Sequence, residues 1–337
     1  MTDSLLKTTI LSIFAALSIA FCATFAGQFA QEALTIDETT FFASYFLTYL
    51  NTMFMLPLYP LFLLGRVFIF KEKAADVNRN AFKIWKNEKG KRYPMYYIAP
   101  VAVCVLYGWV APNYIFAVAL KFISVSAAVS IKSLNAALVF LLSVVWLKSA
   151  FSWFKGSGVL FSIAGVVIVS LNDEFTGSLT GVLFMLLCAT IIAMYNVCVK
   201  KIFGDLNLGQ VLFFLSSLGL TDVIVNTIPT FLMVYFDVER VVWSKIPWQP
   251  VICNLIMASL YNISVNFGIA LLNPLVVSIG ILVAIPVSAA VDILFHGLQA
   301  GVQVMIGGLL ICIGFLLSTL PIDEWRKPKP HPINQDF

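Results

Sequence analysis

Charge is scarce in this sequence. Charged residues fill 11% of its 337 positions, against roughly 25% in soluble domains, and 60% of the chain is hydrophobic. A water-soluble globule is therefore excluded. Histidine is nearly missing, with only His296 and His331, so there is no HExxH zinc helix and no Ser-His pair within an apolar stretch. No GxxxxGK[ST] phosphate loop occurs, which removes ATP-driven pumping. The six cysteines, Cys22, Cys104, Cys188, Cys198, Cys253 and Cys312, stand singly in apolar stretches. That spacing offers neither a disulfide framework nor a CxxC zinc site, and they read as small packing residues. No enzymatic activity, cofactor or bound metal is expected. The net charge of +4 is too small to argue for nucleic acid and is of the kind that reports loop orientation.

What the chain has in abundance is apolar length. A helix needs about 20 predominantly apolar residues to cross a bilayer. Ten such segments are legible, at approximately 8–30, 41–70, 95–120, 127–147, 156–171, 177–199, 210–236, 247–271, 278–295 and 300–320. Porin-type alternation is absent, and only helices satisfy their own backbone in lipid. The first stretch is longer than a signal-peptide core and lacks a small-x-small cleavage site, so it reads as a retained span. With the N-terminus placed inside, the inner side carries 16 Lys and Arg and the outer side three (Lys121, Arg240, Lys245), while Arg66 and Lys132 fall within spans. This split orients both termini towards the cytosol. The single sizeable polar insertion, 71–94, holds eight basic and three acidic residues. It reads first as a stop-transfer and orientation signal, and second as a contact for anionic headgroups.

The chain also repeats itself weakly. GVLFSIAGVVIVSL at 158–171 aligns with GGLLICIGFLLSTL at 307–320, placing Gly158 on Gly307 and Gly165 on Gly314. Upstream, Ala119-Leu120 followed by a span around Asn135 matches Ala270-Leu271 followed by a span around Pro286. A unit of five spans enters the membrane from the opposite side at its second occurrence. The expected architecture is thus an all-α membrane protein of ten transmembrane helices in two inverted five-helix repeats. Residues 1–172 form the first repeat, with the basic cytosolic loop 71–94; residues 173–322 form the second, and 323–337 a cytosolic tail. The glycines of the fifth and tenth spans read as packing.

Polar residues recur at helical spacing within four spans: Thr24, Gln28 and Gln31; Ser44, Thr48 and Asn51; Asp222, Asn226 and Thr230; Ser259, Asn262 and Asn266. Each set keeps to one face and should point away from lipid, towards a water-filled cavity or towards partner helices. Taken together they favour a cavity. Asp222 is the sharpest, about 18 Å into its span at about 1.5 Å per residue, near the midplane. A carboxylate there costs at least about 2.5–3.5 kcal/mol, so a partner, a proton or a cation is required. The candidate substrate-binding set is Asp222, Asn226, Asn262, Asn266, Asn135 and Lys132. Lys132 lies near the outer end of the fourth span and has the reach to snorkel, as Arg66 does at the inner interface. Asp292 and His296, an i, i+4 pair, are accounted for by capping or a solvated face. Pro57 and Pro229 are candidate kinks, and the Asn262 sequon lies inside a span where no glycosylation is possible.

Ten spans in two halves, the Ala-Leu pair and the Gly-rich fifth and tenth spans resemble the drug/metabolite transporter superfamily (EamA-like). More narrowly, FMLPLYPLFLLGR at 54–66, NAALVFLLS at 135–143 and VNFGIALLNPLVVSIGILVAIPVSAAVD at 265–292 resemble solute carrier family 35, subfamily F, in the branch described as thiamine transporters. That branch carries Asn-Lys where this chain has Asn135-Ala136, and Asn where it has Asp222. The resemblance implies a multi-pass secondary carrier in the lipid bilayer for a small-molecule substrate, thiamine or a similar cation, with Asp222 offsetting its charge. The alternatives are a nucleotide-sugar or other organic-anion exchanger and, from a different class, a non-transporting receptor or scaffold.

Overall fold

Apolar runs without water to bond close their backbones as helices, and helices account for nearly all the regular structure here. A computed structural model describes residues 2–85, 93–146, 153–170, 178–204, 206–267, 274–297 and 301–319. In chain order the elements are α1 (Thr2–Thr35), β1 (Phe41–Phe42), α2 (Ser44–Met53), α3 (Leu58–Phe68), α4 (Ala74–Ala81), α5 (Met95–Ala119), α6 (Val125–Lys132), α7 (Asn135–Trp146), α8 (Trp153–Ser170), α9 (Leu179–Phe203), α10 (Leu208–Tyr235), β2 (Arg240–Val241), α11 (Trp248–Phe267), α12 (Pro274–His296) and α13 (Val302–Thr319). Among the described residues, six stretches are long and apolar enough to cross a membrane: Ile10–Thr35, Ser44–Phe68, Tyr96–Ala119, Val125–Leu142, Leu179–Phe203 and Leu208–Tyr235. Gly156–Ile168, Val283–His296 and Met305–Gly314 are shorter apolar helices.

Two of the expected continuous spans are broken. The second divides at Phe54–Pro57, where Pro57 supplies no N–H and the chain tightens into i to i+3 bonds such as Met55 N to Thr52 O, 3.1 Å. The hydroxyl of Ser216 on α10 donates to the carbonyl of Leu56 in this break, the kind of rescue that lets a proline survive in a membrane helix. The fourth span divides at Ser133–Leu134, where the Ser133 hydroxyl donates to Ser130 O at 2.6 Å and competes with helix continuation. Pro229, by contrast, lies inside an uninterrupted α10.

The one strand pairing among the described residues is a two-stranded antiparallel ladder, Phe41 opposite Val241 and Phe42 opposite Arg240. It fastens the α1–α2 connection to the α10–α11 connection, at the end of the bundle away from the 71–94 insertion. The described part of the insertion that follows α3, 71–85, is folded against the bundle. Tyr59 Oη donates to Asn78 Oδ1 on α4 at 2.6 Å. Phe82 lies 4.6 Å from Phe213, and Trp85 5.6 Å from Phe203, centroid to centroid. Arg66 does more than snorkel: it pairs with Glu72 at 2.6 Å and lies over the rings of Phe62 and Phe70.

Among the described residues, α8 and α13 share the most extensive helix contact. A Cβ on Gly165 would sit 2.6 Å from the carbonyl oxygen of Gly307, and a Cβ on Gly314 2.6 Å from that of Gly158. Elsewhere α1 packs on α11 and α12, α9 on α5, α6 and α7, and α10 on α2 and α3. Because backbone atoms are what a new methyl group would strike, Gly165→Ala and Gly314→Ala should each cost about 1–3 kcal/mol and lower the unfolding temperature in detergent. Gly308→Ala, on the same helix with open space around it, should leave the temperature unchanged.

Candidate functional site

Helix α10 begins with a capping box: Asn207 Oδ1 accepts from Gln210 N and Gln210 Oε1 accepts from Asn207 N, both at 3.0 Å. Starting from that fixed end, its buried stripe runs Leu215, Leu218, Gly219, Asp222, Asn226, Thr230. A Cβ at Gly219 would lie 2.9 Å from both Thr52 O and Leu56 N, so α2 passes close by one turn below Asp222. Asp222 and Asn226 are both 0% exposed.

Three residues share one hydrogen-bonded line. Tyr45 Oη donates to Asn226 Oδ1 at 3.0 Å, and Asn226 Nδ2 donates to Asp222 Oδ1 at 2.7 Å. The second carboxylate oxygen, Asp222 Oδ2, is buried without a hydrogen-bond partner among the described residues. Tyr45 meets Tyr114 of α5 edge to face, centroids 5.6 Å apart, and one turn on Tyr49 Oη lies 2.9 Å from Thr227 Oγ1. A buried, half-satisfied carboxylate beside aromatic rings is suited to receive a positive charge.

The amides of α2 are capped from a distance. Glu239, 4% exposed, accepts from the backbone N–H of Tyr45 and, at 2.9 Å, from that of Phe46. Burial pushes the Glu239 carboxyl above its ordinary value, opposed by those two amides and by Lys121. Lys121, in the α5–α6 connection, has its Nζ 3.2 Å from the centroid of Phe42. Burial lowers this ammonium to about 8, with Glu239 and Glu38 acting the other way.

The other sequence-selected residues stand apart from this line. Lys132 closes α6 with its Nζ 4.6 Å from the Phe116 centroid, so the ammonium meets an aromatic ring. Asn135 opens α7 across the break, its Oδ1 buried without a partner among the described residues. Asn262, half-buried on α11, donates to Ala258 O at 2.9 Å. The side chain of Asn266 lies outside the described residues. The two described cavities, about 320 and 650 Å³, are apolar and are not lined by Asp222. The smaller lies between α5 and α10, where Leu218 and Val225 flank Asp222 along the helix.

The polar stripe of α1 holds helices together. Thr24 donates to Ala284 O at 3.4 Å, and Gln31 Nε2 donates to Leu120 O and Ile123 O at 2.8 and 2.9 Å, covering the open end of α5. Gln28 Nε2 donates to Asp292 Oδ1, while Asp292 Oδ2 accepts from the N–H of Ser126 at 2.8 Å and from its hydroxyl. Asp292 is 1% exposed, which corrects the solvated-face reading and leaves capping, here of another helix. His296 Nδ1 lies 3.5 Å from the same carboxylate. Asn254, outside the stripe marked on the eighth segment, accepts from Asn51 at 2.8 Å and donates to Ala26 O at 2.7 Å. Sequence patterning missed Tyr45, Glu239 and Asn254. The one signal available was that acidic or amide residues at the rims of apolar runs face helix ends capped by nothing local.

Comparison with known proteins gives consistent relatives. Human solute carrier family 35 member F3 is 29% identical over 320 residues, 92% of this chain and 73% of its own. Mouse solute carrier family 35 member F4 is 29% identical over 300 residues, which is 87% of this chain and 61% of its own. An uncharacterized transporter of Schizosaccharomyces pombe is 25% identical over 307 residues, 84% and 88% of the two chains. A crystal structure of another protein shares the fold with a TM-score of 0.54 at 18% identity, over 92% of this chain and 98% of that one. No protein-family model matches.

Since Asp292 joins α1, α6 and α12 through one carboxylate, Asp292→Ala should cost about 3 kcal/mol by stranding the Gln28 amide and the Ser126 N–H. Thermal unfolding of the purified protein measures this, and Asp292→Asn should recover part of the loss.

Proposed function

We propose that this chain, a relative of solute carrier family 35, subfamily F, is a secondary transporter that moves a small organic cation, thiamine or a similar solute, by alternating access. The observation that carries the reading is Asp222: fully buried, bonded through one oxygen to Asn226, which Tyr45 holds in turn, and with its other oxygen unpartnered among the described residues. A carboxylate kept in that state offsets the charge of a bound cation, and the neighbouring rings add cation–π attraction. Asn262, Asn266, Asn135 and Lys132 complete the proposed lining of the solute path. Lys132 at the α6–α7 break is the feature that favours the second reading, a nucleotide-sugar or other organic-anion exchanger, because helix breaks commonly mark transporter binding sites.

The architecture behind this proposal is ten spans in two inverted repeats, 1–172 and 173–322, with a cytosolic tail at 323–337. Its support is the reciprocal packing around α8 and α13. Exchanging Gly158 with Gly307 and Gly165 with Gly314 turns one close contact into the other. In the same exchange, α1 on α11 and α12 corresponds to α9 on α5, α6 and α7.

The charge tally places both termini and the 71–94 loop in the cytosol. A cysteine introduced at the exposed Ala75 should react with an impermeant maleimide only after permeabilisation, above the background of the native cysteines. Labelling on intact cells would reverse the orientation. For transport, Asp222→Asn in proteoliposomes should reduce cation uptake at least about tenfold, or about 1.4 kcal/mol of lost stabilisation, with the unfolding temperature retained. Loss of pH dependence with exchange preserved would make Asp222 a proton site. Normal uptake and normal pH dependence at wild-type expression would defeat both versions.

A further inference from the structure

We infer that the Asp222 site selects cations that carry an N–H group, as thiamine does on its aminopyrimidine although its charged thiazolium nitrogen has none, and discriminates against quaternary ammonium without one, a conclusion that rests on the cation-transport reading. A carboxylate only accepts, so the amide of Asn226 has to turn its Nδ2 towards Asp222 Oδ1, and its Oδ1 is left for a donor. Tyr45 Oη fills that need at 3.0 Å and thereby spends its hydrogen. Thr227 Oγ1 donates to Val223 O, so the contact between Tyr49 Oη and Thr227 Oγ1 uses the Tyr49 hydrogen. Thr230 donates to Asn226 O and Thr221 to Ser217 O.

The hydroxyl hydrogens of Tyr45, Tyr49, Thr221, Thr227 and Thr230 are thus committed around a carboxylate that still has an oxygen to satisfy. Asp222 Oδ2 is an acceptor, 0% exposed at the residue level, and needs a donor that none of these groups supplies. A cation without any N–H leaves this buried oxygen unbonded, and sites built to hydrogen-bond a ligand reject the analogue that lacks the bond by large factors. Tyr45 is the positioning residue. It is held at its backbone N–H by Glu239 and at its ring by Tyr114, and it keeps Asn226 from offering a second open acceptor.

The test separates hydrogen bonding from size. Tyramine, N,N-dimethyltyramine and N,N,N-trimethyltyramine, all cationic at neutral pH, are titrated calorimetrically into the purified full-length chain and into Asp222→Asn. The first two keep an N–H although they differ by two methyl groups, and the last step exchanges one hydrogen for one methyl. The inference expects the first two dissociation constants to agree within about threefold, the third to be at least tenfold weaker, and the step to vanish in Asp222→Asn. A smooth decline along the series, or tightest binding of the quaternary compound, overturns the N–H requirement and leaves the cation site standing. Absence of binding, or binding of all three indifferent to Asp222→Asn, overturns both.

Discussion

A polar group inside a bilayer has no water to fall back on, and this one constraint organises the molecule. Each break, cap and stripe described above answers the question of where a buried donor or acceptor goes. The Leu56 carbonyl, left without an i+4 N–H donor by Pro60, is met by Ser216. The open end of α5 is met by Gln31, and the first amides of α2 and α6 by Glu239 and Asp292. In these four cases the partner is supplied by another element, so satisfying the backbone and fixing the tertiary arrangement are the same event. The two capping carboxylates show how acidic residues are retained cheaply in apolar surroundings: a helix N-terminus carries partial positive charge and N–H groups without intrahelical acceptors.

Against that background Asp222 differs in kind. Glu239 and Asp292 use both carboxylate oxygens, whereas Asp222 uses one. A structural role would be served by completing the set, and α10 places Thr221 and Thr227 nearby, yet both hydroxyls donate to their own helix. The incompleteness, together with the aromatic residues at the same level, is the physical basis for assigning recognition to Asp222 and fastening to the other two.

Much of this was legible in the sequence because length and spacing are one-dimensional signals. The apolar runs marked helices, and the i, i+4 interval of Asp222 and Asn226 marked a pair that the structure joins at 2.7 Å. Pro57 announced the first break; Ser133 and Leu134 announced nothing, since neither residue type forbids helix and the interruption depends on a hydroxyl choosing the Ser130 carbonyl. Tyr45 was hidden for another reason. A tyrosine one turn into an apolar run reads as an interfacial anchor, and its partner lies 181 residues away. Glu239, Asn254 and Asp292 share that difficulty, as each acts on a helix end or an amide that only the fold brings near. The stripe on α1 was visible as a stripe, but pattern alone does not tell a face that lines a cavity from one that bonds other helices.

On the proposed function, the open oxygen of Asp222 is where the transported solute is held. That placement is tested most directly by an experimental structure of the full chain in a lipid nanodisc with a saturating N–H-bearing organic cation. The account predicts ligand density with a nitrogen within hydrogen-bond distance of Asp222 Oδ2 and beside the Tyr45 ring, with Asn226 still bonded to Oδ1. Density confined to Lys132 and Asn135, with Asp222 still bonded only to Asn226, would contradict it.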